Sequence, residues 1–172
     1  MEFVAYHGTD KQIATNIISS DFRHNNKVGW LGTGIYFFNE NENMAYKWAD
    51  TKKRCTTPTV LRCEISLPDG KIFDTTMPGS EHNEKFHMYR SILKMQLKSR
   101  NRLIKARDQE DFDGKTYNFI CQREGYELVK AHTYTYDADD SDFGNSRVPN
   151  GTELCLRNTE FIVSKQEIKY HQ

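Results

Sequence analysis

Short strand-like apolar runs recur from one end of this chain to the other, yet they never settle into the regular strand–helix alternation that builds a doubly wound sheet. Residues 2–7 (EFVAYH) read as a strand broken by Gly8. Residues 10–19 read as a helix with Asp10 as its N-cap and Ile13, Ile17 and Ile18 on one apolar face. A polar loop at 23–29 leads to a second strand at 33–38 (TGIYFF), and a helix over 40–50 gathers Met44, Ala45 and Trp48 on one face. Residues 59–67 alternate as a strand does, and Pro68-Asp69-Gly70 turns the chain into a short strand at 71–74. A long amphipathic helix is expected over 81–106, with Phe86, Tyr89, Ile92, Leu93 and Leu97 inward. An acidic loop at 108–113 follows, then strands near 117–121, 126–132, 152–157, 160–163 and 167–170. This order predicts an α+β fold.

With 172 residues there is room for one domain, 1–172, and little for a second core. Ten Phe and nine Tyr make a disordered chain an unsuitable reading. Lys+Arg and Asp+Glu balance at 24 each, so net charge points to no anionic partner. The opening MEFVAYHGTD lacks a long apolar core, and no apolar run approaches the ~18 residues of a membrane span. A cytoplasmic protein that uses no membrane is expected. Cys55, Cys63, Cys121 and Cys155 show no C-x-x-C spacing, so reduced thiols and no metal are expected. No G-x-G-x-x-G joins a strand to a helix, which disfavours a dinucleotide fold of that kind.

Three segments carry chemistry. Tyr6-His7-Gly8-Thr9 closes the first strand, where a glycine lets a ligand approach the backbone. Gly32-Thr33-Gly34-Ile35-Tyr36-Phe37 puts an aromatic on a strand, and Met44-Ala45-Tyr46-Lys47-Trp48-Ala49 puts more on the next helix. That geometry suits clamping a flat ring, and it equally suits a strand–helix pair burying its aromatics. Asn158-Thr159-Glu160-Phe161-Ile162-Val163 sets a carboxylate inside an apolar run, which is uncommon unless the acid is paired, on an edge or used.

In this order the segments resemble the H-Y-E group of ADP-ribosyltransferases, which includes the poly(ADP-ribose) polymerases and diphtheria toxin. The resemblance covers roughly 1–70 and 150–172. It implies a fold of two packed, antiparallel-rich sheets with flanking helices, and NAD as co-substrate. It implies that His7 grips a ribose hydroxyl, Tyr36 stacks on nicotinamide and Glu160 serves catalysis. Gly8 and Thr9 would lie against the nicotinamide end, with Gly8 offering backbone groups to its carboxamide. Arg23 would contact the adenosine end. There are departures: Lys47 stands where the family has a second aromatic, leaving Trp48 or Tyr46 as the stacking partner, and Met44 stands where many relatives have Ser. Asn158 replaces the second acid of arginine-modifying relatives, which disfavours an arginine acceptor.

Residues 85–107 hold eight cations and no acid, so Lys94, Lys98, Arg100 and Arg102 are candidates for a phosphate backbone, against the alternative of a solvated helix face. The expected activity is single ADP-ribosyl transfer to a macromolecule, with a slight lean to nucleic acid, RNA included, over protein. Alternatives are an NAD glycohydrolase, a protein mono-ADP-ribosyltransferase and a non-catalytic ADP-ribose-binding module. By analogy, a lone catalytic domain suggests a toxin or phage-defence effector with a neutralising antitoxin.

Overall fold

A computed structural model describes residues 1–23, 26–52, 55–100, 109–135, 146 and 148–168, with the backbone alone for 109–111. It shows one α+β domain: β1 (Glu2–Asp10), α1 (Lys11–Ser19), β2 (Ile35–Asn39), α2 (Glu42–Asp50), β3 (Pro58–Ser66), β4 (Ile72–Asp74), α3 (Glu81–Ser99), α4 (Gln109–Glu124), β5 (Leu128–Thr133), β6 (Gly151–Leu156) and β7 (Ile162–Glu167). The strands form one seven-stranded sheet in the order β4-β5-β6-β2-β1-β3-β7, not the two packed sheets expected. Every neighbouring pair is antiparallel except β4–β5, which the α3–α4 crossover makes parallel.

Alternation along the strands sorts their side chains to the two faces. Phe3, Ala5, Ile35, Phe37, Leu61, Cys63, Leu154 and Leu156 share one core with Ala14 and Ile17 of α1 and with Phe22. On the other face α2 packs Ala45 on Phe38 and Val60. Beyond it, α3 and α4 bring Phe86, Tyr89, Tyr117, Ile120 and Cys121 onto Phe73, Val129, Ala131 and Cys155. The capping chemistry is local. The Asp10 carboxylate accepts from Gln12 N at 3.0 Å and starts α1 as expected. The same carboxylate also takes the amides of Thr56 and Thr57, which hold its pKa well below the ordinary carboxylate value.

Three expectations are corrected. β1 does not break at Gly8 but runs on to Asp10, paired throughout with β3. The missing Cβ of Gly8 serves packing, since an added one would lie 1.8 Å from the Ala45 carbonyl oxygen of α2. The acidic loop and strand expected over 108–121 are instead covered by α4 from Gln109 on. Its buried residues Phe112, Thr116, Tyr117, Ile120 and Cys121 follow the helical period. Gly114, which looks like a turn signal, lets α4 approach within 1.9 Å (Cβ position) of the Gly29 carbonyl oxygen. The two last strands expected merge into one, β7, after a 3₁₀ turn at Thr159–Phe161. Residues 101–106 of the long helix and 169–170 of the last strand lie outside the described residues.

Candidate functional site

The sheet opens between its two central strands. β1 pairs with β3 over nine residues but with β2 only at Ala5–Asn39 and Tyr6–Phe38. Past Tyr6 the ladder gives way to a side chain: His7 Nδ1 donates to the Tyr36 carbonyl at 2.8 Å. A carbonyl only accepts, so Nδ1 carries the proton of the neutral ring and Nε2 is left as an acceptor. Burial pushes the His7 pKa below 6.5, which keeps the ring neutral. Phe22 and Phe37 hold it edge-on, with ring centroids at 5.1 and 5.7 Å.

A cavity of about 1040 Å³ lies at this opening and takes its lining from both faces of the sheet. From the α1 face come Ile17, Phe22, Arg23 and the His7 ring, which packs on Phe22 and Phe37; from the other come Trp30, Tyr36, Trp48, Lys52 and Glu153. Its size suits a ligand at the large end of the ~300–1,000 Å³ range of small-molecule sites.

Tyr36 is fixed at both ends. Its hydroxyl donates to the Gly32 carbonyl at 2.7 Å and accepts from Leu31 N at 2.9 Å. Burial raises its pKa further above 10.0, so it stays a phenol with its ring held in one plane. Of the two helix aromatics left open by the sequence, Trp48 lines the cavity and Tyr46 does not. The Lys52 ammonium lies 3.8 Å from the centre of the Trp48 ring.

Two carboxylates line the cavity, Asp21, which is paired with Lys165 at 3.0 Å, and Glu153; Glu160 is not among the lining residues. Glu153 is on β6 opposite Phe38 and is 8% exposed. Trp30 Nε1 donates to it at 3.0 Å, and the Thr133 hydroxyl bonds it as well. Burial still raises its pKa above 4.5. Glu160, expected beside His7 and Tyr36, lies outside the cavity lining: it is exposed on the 3₁₀ turn, where its oxygen accepts from Asn158 Nδ2 at 3.2 Å. The reason is topological. β6 pairs with β2 and so carries its side chains to the opening, whereas β7 pairs with β3 at the sheet's far edge.

Thr9 also lies outside the cavity lining, in the β1–β3 ladder opposite Thr59. Lys94, Lys98 and Arg100 are exposed on the last turns of α3, and Arg102 lies outside the described residues. Two cations nearer the start of α3 are paired, Lys85 with Glu81 and Glu124, and Arg90 with Asp113. Among the described residues no group of three or more His, Cys, Asp or Glu is placed to hold a metal, and no helix is long and apolar enough to cross a membrane.

The signal for Glu153 was in the sequence. In Gly151-Thr152-Glu153-Leu154-Cys155-Leu156 an acid interrupts an apolar strand, the same anomaly that draws attention to Glu160. A neutral imidazole acceptor, a fixed aromatic and a buried carboxylate together can bind a hydroxylated ligand with a flat ring and stabilise positive charge beside it.

The chain is similar to an uncharacterized protein of Methanocaldococcus jannaschii, with 30% identity over 122 residues. The match takes in 67% of this chain and 54% of that protein, so the chain spans about half the length of the curated relative it matches. No family model matches the chain, and no solved structure matches it.

Proposed function

We propose that the protein is an NAD-dependent ADP-ribosyltransferase whose reacting site is built on His7, Tyr36 and Glu153. The observation that carries this reading is the buried Glu153 carboxylate in the same cavity as the bonded His7–Tyr36 pair. His7 Nε2 accepts a ribose hydroxyl. Tyr36 and Trp48 hold the nicotinamide ring. Arg23, Lys27 and Lys52, all in the lining, face the negative pyrophosphate.

The C1′–N bond to nicotinamide breaks with its electron pair going to the ring nitrogen, which neutralises the pyridinium. Positive charge builds on the ribose, and the Glu153 carboxylate beside the 2′-hydroxyl stabilises it more than it stabilises the ground state. An acceptor hydroxyl or amine then bonds to C1′ and loses its proton to solvent. The products are nicotinamide, a proton and the ADP-ribosylated acceptor. Because Glu153 works as an anion, its raised pKa makes the rate climb with pH as the carboxyl ionises.

The acceptor is proposed to be a macromolecule, with nucleic acid favoured over protein by the exposed Lys94, Lys98 and Arg100. By analogy with lone catalytic domains of this kind, the proposed role is that of a toxin or phage-defence effector neutralised by a partner protein. Incubation with labelled NAD and a cell extract, followed by separate nuclease and protease digestion, identifies the acceptor class by which treatment destroys the label. Nicotinamide release without labelled macromolecule makes the protein an NAD glycohydrolase. Intact NAD in every incubation overturns the reading.

A further inference from the structure

Neither Tyr36 nor Glu153 holds its position alone; both depend on one small turn. Gly29 and Gly32 exchange backbone hydrogen bonds at 3.0 Å each, closing a turn around Trp30 and Leu31, with Gly32 at φ 95°. Trp30 reaches Glu153 from this turn, and Leu31 and Gly32 bond the Tyr36 hydroxyl. The turn is held from behind by two side chains outside the cavity. Asn118, on α4, donates through Nδ2 to Thr33 Oγ1 at 3.0 Å, and its Oδ1 accepts from Thr33 N at 2.8 Å. Arg157, just past β6, donates through Nη2 to the Leu31 carbonyl at 3.2 Å and to Asn118 Oδ1 at 3.1 Å.

The bonds that Asn118 and Arg157 make to the turn join segments far apart in sequence. Asn118 and Thr33 are 85 residues apart, and Arg157 and Leu31 are 126 apart. A turn of this length with two glycines has much backbone freedom to lose. Asn118 matches an N–H and a hydroxyl with its O and NH₂, while Arg157 covers the neighbouring carbonyl. Both side chains are half-buried, so the bonds work in a medium less screening than water.

We infer that Asn118 and Arg157 are positioning residues for the site: they fix the Gly29–Thr33 turn, and through it the Trp30–Glu153 bond and the plane of the Tyr36 ring. The inference concerns the geometry of the cavity; its effect on rate rests on the transferase reading. The carboxylate and the phenol share one support, so loosening the turn moves both at once. A shift of about 1 Å at a reacting group can cost up to ~100-fold in rate.

The chain has two tryptophans, Trp30 and Trp48. In a Trp48→Phe background Trp30 is the only indole reporter, and its fluorescence reads the turn without any assumption about NAD. Asn118→Ala and Arg157→Met are expected to shift Trp30 emission to the red and increase its quenching by acrylamide. Tyr117→Phe, on the same helix as Asn118, removes a hydroxyl bonded to Thr75 at 3.0 Å and is expected to leave both unchanged. Asn118→Asp keeps the acceptor for Thr33 N and Arg157, and Arg157→Lys keeps a donor for Leu31; both are expected to recover most of the parent emission. With labelled NAD, Asn118→Ala is expected to lower kcat of nicotinamide release by ~10- to 100-fold while KM stays within about threefold. Parent-like Trp30 emission and quenching in Asn118→Ala and Arg157→Met overturns the inference. Should those two fail to fold, parent-like emission and quenching in Thr33→Val, which removes the hydroxyl that accepts from Asn118 Nδ2, overturns it instead. Altered emission in the two variants, with a parent protein that never cleaves NAD, leaves the positioning role standing and removes the transferase reading.

Discussion

Replacing Glu153 by Gln separates what the carboxylate does for chemistry from what it does for the fold. Glutamine has nearly the same shape and keeps an oxygen for the Trp30 indole at 3.0 Å, but carries no charge. Burial raises the Glu153 pKa above 4.5, so the folded protein holds the protonated form more tightly than the unfolded chain does. Between pH 4.5 and the raised value the folded state binds more protons, and stability falls as pH increases through that window. At neutral pH the wild type has lost that stability and the glutamine variant has not. The variant is therefore expected to be more stable by about 1 kcal/mol, a typical gain on relieving a strained functional site. For a chain of 172 residues that raises Tm by about 2–4 °C. The difference should shrink towards nothing at about pH 4, where both states of the wild type are protonated. Meanwhile the loss of one preorganised charge contact, about 3–4 kcal/mol, lowers nicotinamide release by ~100- to 1,000-fold. Calorimetry from about pH 4 to 8 and a nicotinamide-release assay read the two effects. A Tm that falls by several degrees at neutral pH shows that the carboxylate holds the fold together, and retained activity shows that the chemistry lies elsewhere; either result refutes the reasoning.

Four further outcomes are expected. Glu160→Gln, on its exposed turn, should keep nicotinamide release within about twofold of wild type and Tm within about 2 °C, as surface changes usually do. Gly8→Ala sets a Cβ 1.8 Å from the Ala45 carbonyl oxygen and forces α2 off the sheet; a loss of about 2–3 kcal/mol is expected in urea unfolding. Trp48→Ala should raise KM for NAD by about 2- to 10-fold, the worth of one stacking aromatic, while Tyr46→Ala leaves it within experimental scatter. His7 has a pKa below 6.5, so the unfolded chain takes up a proton there before the folded protein does. Stability at this position is complete above pH 6.5 and is lost as pH falls towards the folded value; urea midpoints should show that component in wild type and not in His7→Gln.

Much of the architecture was legible because it rests on short-range pattern. The N-cap Asp10 and Ile17 mark α1 within ten residues of chain, although Ile13 and Ile18, expected on the same face, are exposed and Ala14 packs beside Ile17 in their place. The alternation of Leu61, Cys63 and Ile65 marks β3, and the spacing of Phe86 and Tyr89 marks the buried face of α3. Misreadings arose where one residue type serves two purposes. Gly8 and Gly114 look like breaks in isolation, but each sits inside a regular element and makes room for another backbone. A glycine's local freedom is visible in sequence; the helix that crosses it is not.

The same division holds for the site. His7 and Tyr36, two residues of the proposed site, each lie in a distinctive local segment, within β1 and at the start of β2. Which acid faces them could not be read from the chain. Glu153 and Glu160 both stand in apolar strand-like sequence a few residues apart, and nothing local distinguishes them. The choice depends on β6 pairing with β2 while β7 pairs with β3, and strand partnership is settled by burial across the whole sheet. Sequence alone therefore determined the α+β character and the early elements. Only the tertiary structure decided which acids line the cavity, because a buried carboxylate is selected by the strand order that surrounds it.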